Sequence, residues 1–284
     1  MKTTEARTGA RPAEARLPAG ARSQLHAAYL RRLRRRNRAV LLTQAGIFVG
    51  FLIIWEVAAR LGLINPFITS QPLKILRTFL DLLGDGSLYQ HVWATLVETI
   101  VAFVIGTLLG LLTATVLWWS EFLARVFDPY IVVANSIPKI ALGPVFIVWL
   151  GFGPAAILGV ALTISVIVSI LMIAAGFNEV SPEKIKLLRT FGASKWQVLQ
   201  KVVLPGSMPA IIGALKTNIG LTWIGVIVGE FLVSKRGLGY LIIYGGHLFN
   251  LHLVMTSIAV LSVLATAMYL VVSLLERRLL VWKE

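Results

Sequence analysis

Cysteine is absent from the 284 residues, which excludes disulfides and thiolate metal sites and leaves rigidity to packing alone. Histidine is scarce: His26, His91, His247 and His252 lie far apart or at the wrong spacing, and no pair sits at i, i+4, where two imidazoles share a helix face. That scatter points away from a metal site. Charge is scarce too, at 14% of residues, and acidic charge most of all, with 13 Asp and Glu against 27 Lys and Arg. What fills the chain instead is apolar, 57% of residues with a mean hydropathy of +0.81, far outside the range of soluble domains. Water is not its main solvent.

A formal charge of +14 raises the question of nucleic acid, and the placement of the charge answers it. Eleven basic residues precede residue 39, including the run Arg31, Arg32, Arg34, Arg35, Arg36 and Arg38, which abuts an apolar segment. Basic residues beside a membrane span follow from topology and from anionic lipid, at roughly 1 kcal/mol per charge. The partner they imply is the bilayer, not nucleic acid. The polar lead is too long for a secretory signal, and no small-residue cleavage site follows the apolar core. Residues 1–22, rich in Ala, Arg, Gly and Pro, read as disordered and 23–38 as a basic surface helix; together they form a cytoplasmic N-terminal segment, 1–39.

A helix needs about 20 apolar residues to cross the hydrocarbon core. Six segments qualify, 40–59, 94–119, 129–150, 152–176, 209–233 and 250–275, within a membrane domain of 40–276 followed by a short tail, 277–284. They are apolar on every face, so the period-two alternation of a barrel strand is excluded and the fold class is all-α, integral to a membrane. With the N-terminus inside, the inner segments hold twenty basic residues and the outer ones five. The positive-inside rule then predicts that both termini, and the 177–208 connection, are cytoplasmic. Between the first two spans, Leu73, Leu76, Phe79, Leu80 and Leu83 fall at helical spacing before Gly84-Asp85-Gly86, predicting an amphipathic helix at the outer interface.

The 177–208 loop carries the most local information. Ser181 suits an N-cap, Pro182 the first helical position, and Glu183 the positive end of the helix dipole. Gly192 suits the left-handed residue that ends such a helix, and Ser194 with Gln197 forms a capping box for a second helix, expected to stop at Leu204-Pro205. Two short helices thus meet at Phe191-Gly192-Ala193-Ser194. No Gly-x-x-x-x-Gly-Lys-Ser/Thr phosphate loop occurs, so nucleotide hydrolysis, where coupled to this chain, belongs to another subunit.

Gly192, nine residues, Val202, one residue and Leu204-Pro205 resemble the cytoplasmic Glu-Ala-Ala loop of permease subunits of ATP-binding-cassette (ABC) importers. Gly229-Glu-Phe-Leu-Val-Ser-Lys-Arg-Gly-Leu-Gly-Tyr-Leu-Ile and Ile137-Pro-Lys-Ile-Ala-Leu-Gly-Pro are similar to the nitrate, sulfonate and taurine branch of that family, and the likeness covers roughly residues 60–275. One departure stands out: Lys186-Leu187-Leu188 occupies the Glu-Ala-Ala positions, and Glu183, one turn earlier on the same helix face, is the nearest carboxylate. The resemblance implies a pathway formed with a second permease protomer, expected as a homodimer, with two ATPase subunits and an extracytoplasmic solute-binding protein. ATP and magnesium would be held by the ATPase, with no cofactor or catalytic residue on this chain. The coupling residues it implies are Glu183, Lys186, Leu187, Leu188, Phe191, Gly192, Ala193, Ser194, Lys195, Leu204 and Pro205. Nitrate, sulfonates, taurine and vitamin precursors are the solutes it leaves open.

Polar residues within the spans admit two readings each. Asn135, Ser136 and Lys139, beside Pro138 and Pro144, either line a solute path or gate, or in the case of Lys139 snorkel to the surface. Asn218 and Thr222 either line a path or bond helix to helix. Glu230 either serves solute or gate, or pairs with Lys235 or Arg236. Trp118-Trp119 fits an interfacial belt that needs no further function. The rival from another class is a secondary transporter or channel without an ATPase; against it stand the lack of a clear internal repeat and the few intramembrane charges.

Overall fold

The computed structural model describes residues 19–279, and the side chains of 32, 35, 36 and 38–278 within them. The expectations for residues 1–18 and 280–284 lie outside the described residues. Two compact units are distinguished, Met1–Leu61 and Gly62–Glu284. In the first, α1 runs unbroken from Ala19 to Arg60, so the basic stretch and the first apolar segment share one helix rather than a surface helix and a separate span. Its apolar part, Arg38–Arg60, is long enough to cross a membrane.

The second unit is helical throughout, and no strand occurs among the described residues. A short turn, α2 (Pro66–Thr69), leads to the amphipathic α3 (Pro72–Gly84), followed by α4 (Ser87–Trp119) and α5 (Glu121–Ser136). Beyond a 3-10 turn at Lys139–Leu142 come α6 (Gly143–Leu150) and α7 (Pro154–Asn178). The loop helices α8 (Pro182–Thr190) and α9 (Lys195–Val198) precede α10 (Leu204–Val233), α11 (Leu238–His247) and α12 (Leu251–Leu279).

Two sequence expectations need correction. The third span, expected as 129–150, is a broken pair whose halves, Glu121–Ser136 and Lys139–Leu150, meet at 89°. Pro138 is the cause: it removes an N–H and forces the preceding Ile137 to extended geometry (φ −65°, ψ 135°), which no α-helix continues through. Among the described residues, five helices are therefore long and apolar enough to cross a membrane, and six if the bent pair counts as one span. Nor does the second loop helix stop at Leu204-Pro205. Lys195–Val233 is one run, carried past Pro205 by a π-turn at Leu199–Val203 in which Leu204 N–H reaches back five residues to Leu199 C=O. The wider turn relieves the clash between the Pro205 ring and the carbonyl four residues before it.

The centre of this unit is α7, packed between α10 and α4. Lipid tails are as apolar as leucine, so membrane helices associate through close contact of small residues rather than by escape from water. Both neighbours of α7 present a Gly-x-x-x-Gly face to it. On α4, Gly106 faces Ser165 and Gly110 faces Ser169; on α10, Gly225 faces Ala161 and Gly229 faces Ile157. A β-carbon on Gly225 would stand 2.6 Å from the Ala161 Cα, so the backbones touch only because it is glycine.

Contacts sort the helix ends of this unit into two sides. On one, Ser70 Oγ meets His252 Nδ1 (2.7 Å), and α3 accepts a bond from α12, Thr256 Oγ1 to Ile75 C=O (3.1 Å). On the other lie the 180–206 region, Trp119 and the ion pair of Lys216 with Glu276.

Candidate functional site

The loop between α7 and α10 is a pair of capped helices seated on the bundle. Ser181 occupies the N-cap position of α8, but its hydroxyl is spent on the Glu183 carboxylate rather than on a backbone N–H. That bond holds the Glu183 carboxyl below its ordinary pKa, so it stays charged. The C-terminus closes as a Schellman motif: Gly192 N–H bonds Arg189 C=O (3.0 Å) and Ala193 N–H bonds Leu188 C=O (3.1 Å). Closure requires Gly192 at φ +79°, the left-handed region. Ser194 and Gln197 then form the expected reciprocal capping box.

The two faces of this loop differ. Ile185, Leu188, Ala193, Val202 and Leu204 pack inward on Ile173, Phe177, Val198 and Val203, fixing the loop to the ends of α7 and α10. Outward, Glu183, Lys186, Leu187, Gly192, Ser194 and Pro205 are exposed, as are Trp196 and above all Phe191, at 81%. The loop thus presents apolar side chains to whatever lies beyond the membrane on that side. Lys195 turns back to the bundle, donating to Trp119 C=O (2.5 Å) and lying over the rings of Trp118 and Trp119 (5.9 and 5.5 Å), while Trp196 packs on Trp119 (6.4 Å). Trp119 is therefore engaged by the loop, beyond the interfacial belt that the sequence suggested.

The intramembrane candidates separate into three places. Asn135, Ser136 and Lys139 gather at the break after α5, where Lys139 Nζ donates to Asn135 C=O (2.8 Å) and Oδ1 (3.3 Å), and Ser136 Oγ donates to Val132 C=O (3.0 Å). Asn135 and Ser136 are exposed and Lys139 is half-buried, so a polar, kinked stretch of backbone lies open on the protomer surface. Asn218 and Thr222 are 1% and 0% exposed, and Asn218 Nδ2 donates to Thr107 Oγ1 of α4 (2.9 Å). For Asn218 the helix-to-helix reading matches this bond, whereas Thr222 Oγ1 is buried without a hydrogen-bond partner.

Glu230 does not pair with Lys235 or Arg236, the second of its two sequence readings. It is buried, accepting from Thr95 Oγ1 (2.6 Å) and Gly239 N–H (2.5 Å), while Thr95 in turn accepts from Leu238 N–H (2.7 Å). The carboxylate staples the start of α11 to α4 and α10. Glu98 lines a cavity of roughly 510 Å³ with Trp93, Phe152, Val233, Lys235 and Arg236.

Comparison with known proteins decides the family. The signature described as "Binding-protein-dependent transport system inner membrane component" matches residues 106–281. The chain belongs to that family. Among relatives of this permease, the taurine transport system permease protein TauC of Escherichia coli K12 is 30% identical over 243 residues, covering 84% of this chain and 88% of its own length. The putative aliphatic sulfonates transport permease protein SsuC of Bacillus subtilis 168 is 28% identical, covering 81% and 84%. The riboflavin transport system permease protein RibX of Chloroflexus aurantiacus is also 28% identical, covering 82% and 87%. Solved structures agree on the fold: the MetNI methionine ABC transporter superposes with a TM-score of 0.60 at 22% identity, covering 66% of this chain and 94% of that one. A bacterial ABC transporter importing alginate reaches 0.61 at 14% identity, covering 87% and 99%. The chain is an inner-membrane, multi-pass ABC importer permease of the branch that holds the taurine and sulfonate permeases.

Proposed function

We propose that this permease forms, with a second copy of itself, the path by which a small organic sulfonate such as taurine enters the cell. An extracytoplasmic binding protein delivers the solute, and two copies of a separate ATPase, which hold ATP and magnesium, dock on the 182–205 loops. The permease performs no chemistry of its own. Its termini and that loop are cytoplasmic, in keeping with the twenty-to-five bias in basic residues.

The observation that carries this reading is the two-faced loop. A passive connection has no use for a Schellman motif and a capping box that hold Phe191, Leu187 and Trp196 out in water. Exposed apolar anchors on a short rigid helical element are the form that helix-in-groove docking takes. The inward face, set on α7 and α10, passes any displacement of the docked partner to the spans. Solute choice rests on the taurine and sulfonate relatives. The exposed break at Asn135–Lys139 supports a path between protomers, because lipid does not tolerate exposed non-helical backbone whereas a wet cavity or a protein partner does.

Reconstitution tests it. Proteoliposomes holding the permease and its ATPase, with Mg-ATP inside and the binding protein outside, should accumulate labelled taurine only when all components are present. Accumulation without ATP would return the chain to the secondary-transporter class. ATP-driven uptake of riboflavin or nitrate with none of taurine would leave the permease reading and remove the solute.

A further inference from the structure

Lys195 is the first residue of α9, and a lysine there is poorly placed by helix electrostatics, since the N-terminus of a helix carries a partial positive charge. Its ammonium has instead travelled to the opposite kind of site. It donates to the carbonyl of Trp119, the last residue of the 33-residue α4, where the partial charge is negative and carbonyls lack helical partners. That carbonyl is available for a specific reason. The N–H four residues on, at Leu123, is taken by Ser120 Oγ, the N-cap of α5 (3.3 Å). The rings of Trp118 and Trp119 lie within 6 Å of the same ammonium, and Trp196 closes the group against Trp119. Residues 76 positions apart in sequence are thereby joined at the corner between α4 and α5.

We propose that Lys195 is a positioning residue, a latch that carries movement of the coupling loop to the α4–α5 corner and so to the broken span. This rests on the coupling role proposed above for the loop. Movement of α9 reaches α10 through one continuous helix, Lys195–Val233. Nothing covalent nearby links it to α5, the helix that ends at the Asn135–Lys139 break; the ammonium and its tryptophans supply that second connection. Two outputs from one input let the docked subunit move α10 and the break in concert.

The absence of cysteine makes a clean test possible. In the full transporter with its ATPase, a fluorophore on Glu121→Cys reports α5 and, separately, one on Lys201→Cys reports the run into α10. Trapping with Mg-ATP and vanadate should change both signals in the otherwise unaltered protein. Lys195→Met should cut the change at Glu121 about fivefold, the worth of one charge–dipole and cation–π contact, while sparing that at Lys201 and retaining the ATPase in pull-down. Lys195→Arg, which still donates and stacks, should restore the Glu121 signal. An undiminished Glu121 signal in Lys195→Met overturns the latch, as does loss of the ATPase from its pull-down, which would make Lys195 part of the docking face. If Lys195→Met does not reach the membrane, Trp119→Leu takes its place, with about a twofold drop expected and no drop contradicting the proposal. Absence of any nucleotide-driven change at either position in the unaltered protein removes the coupling reading itself, and the latch with it.

Discussion

Gly192 is the residue on which the 182–205 loop turns, and replacing it separates backbone strain from steric contact. Nothing lies within 4 Å of a β-carbon built there, so a side chain meets open space. The cost is then conformational: an L-residue at φ +79° costs about 1–2 kcal/mol, more when β-branched. Escape to ordinary φ breaks the bonds of Gly192 to Arg189 and Ala193 to Leu188, each worth about 1 kcal/mol, in a helix of nine residues. Gly192→Asn should therefore be mildest, since Asn tolerates this region, with Gly192→Ala intermediate and Gly192→Val worst. Roughly 2–3 kcal/mol for Val is enough to shift α8 against α9 and mis-set the Phe191 face. The assay is ATPase pull-down together with solute-stimulated ATP hydrolysis on protein shown to be inserted in the membrane. Equal activity in the three variants, or Val milder than Ala, would refute the argument.

Gly225→Val places carbon against the Ala161 backbone, which cannot give as a side-chain tip would, so it should lower thermal stability in detergent by about 1–3 kcal/mol. Gly213→Val, with nothing within 4 Å, serves as the control expected to change stability far less. Lys139→Ala loses the bonds to Asn135 at the break and should cut uptake while leaving insertion and ATPase binding intact; wild-type uptake would return Lys139 to snorkelling. Cysteine labelling at Ser194 and Gly86 should report opposite sides of the membrane, and same-side labelling would overturn the topology.

What the sequence disclosed was whatever is written locally. Runs of apolar residues marked the spans, and the spacing of Ser194 to Gln197 and the position of Gly192 marked the caps, because those bonds close within five residues. Two local signals were misjudged. Pro205 read as a stop, yet a π-turn carries the helix past it, and Pro138 read as an oddity within a span, yet it breaks the helix by 89°. A proline's effect depends on whether neighbouring carbonyls find other partners, which tertiary contacts decide. A third signal was present and went unread: Gly106 and Gly110, and Gly225 and Gly229, are spaced as helix-contact faces. The bonds of Glu230 to Thr95 and of Lys195 to Trp119 span 135 and 76 residues, and no periodicity in a single sequence announces them.

The central claim is that the exposed face of the 182–205 loop receives an ATPase subunit. A photo-cross-linking side chain at Phe191, the most exposed large apolar residue of the loop, reads this directly in membranes that carry the whole transporter. The account predicts an adduct between permease and ATPase from Phe191, and none from the same probe at Leu83 on α3, which belongs to the opposite side. An ATPase adduct from Leu83, or none from Phe191 in a transporter that still hydrolyses ATP and takes up solute, would contradict it.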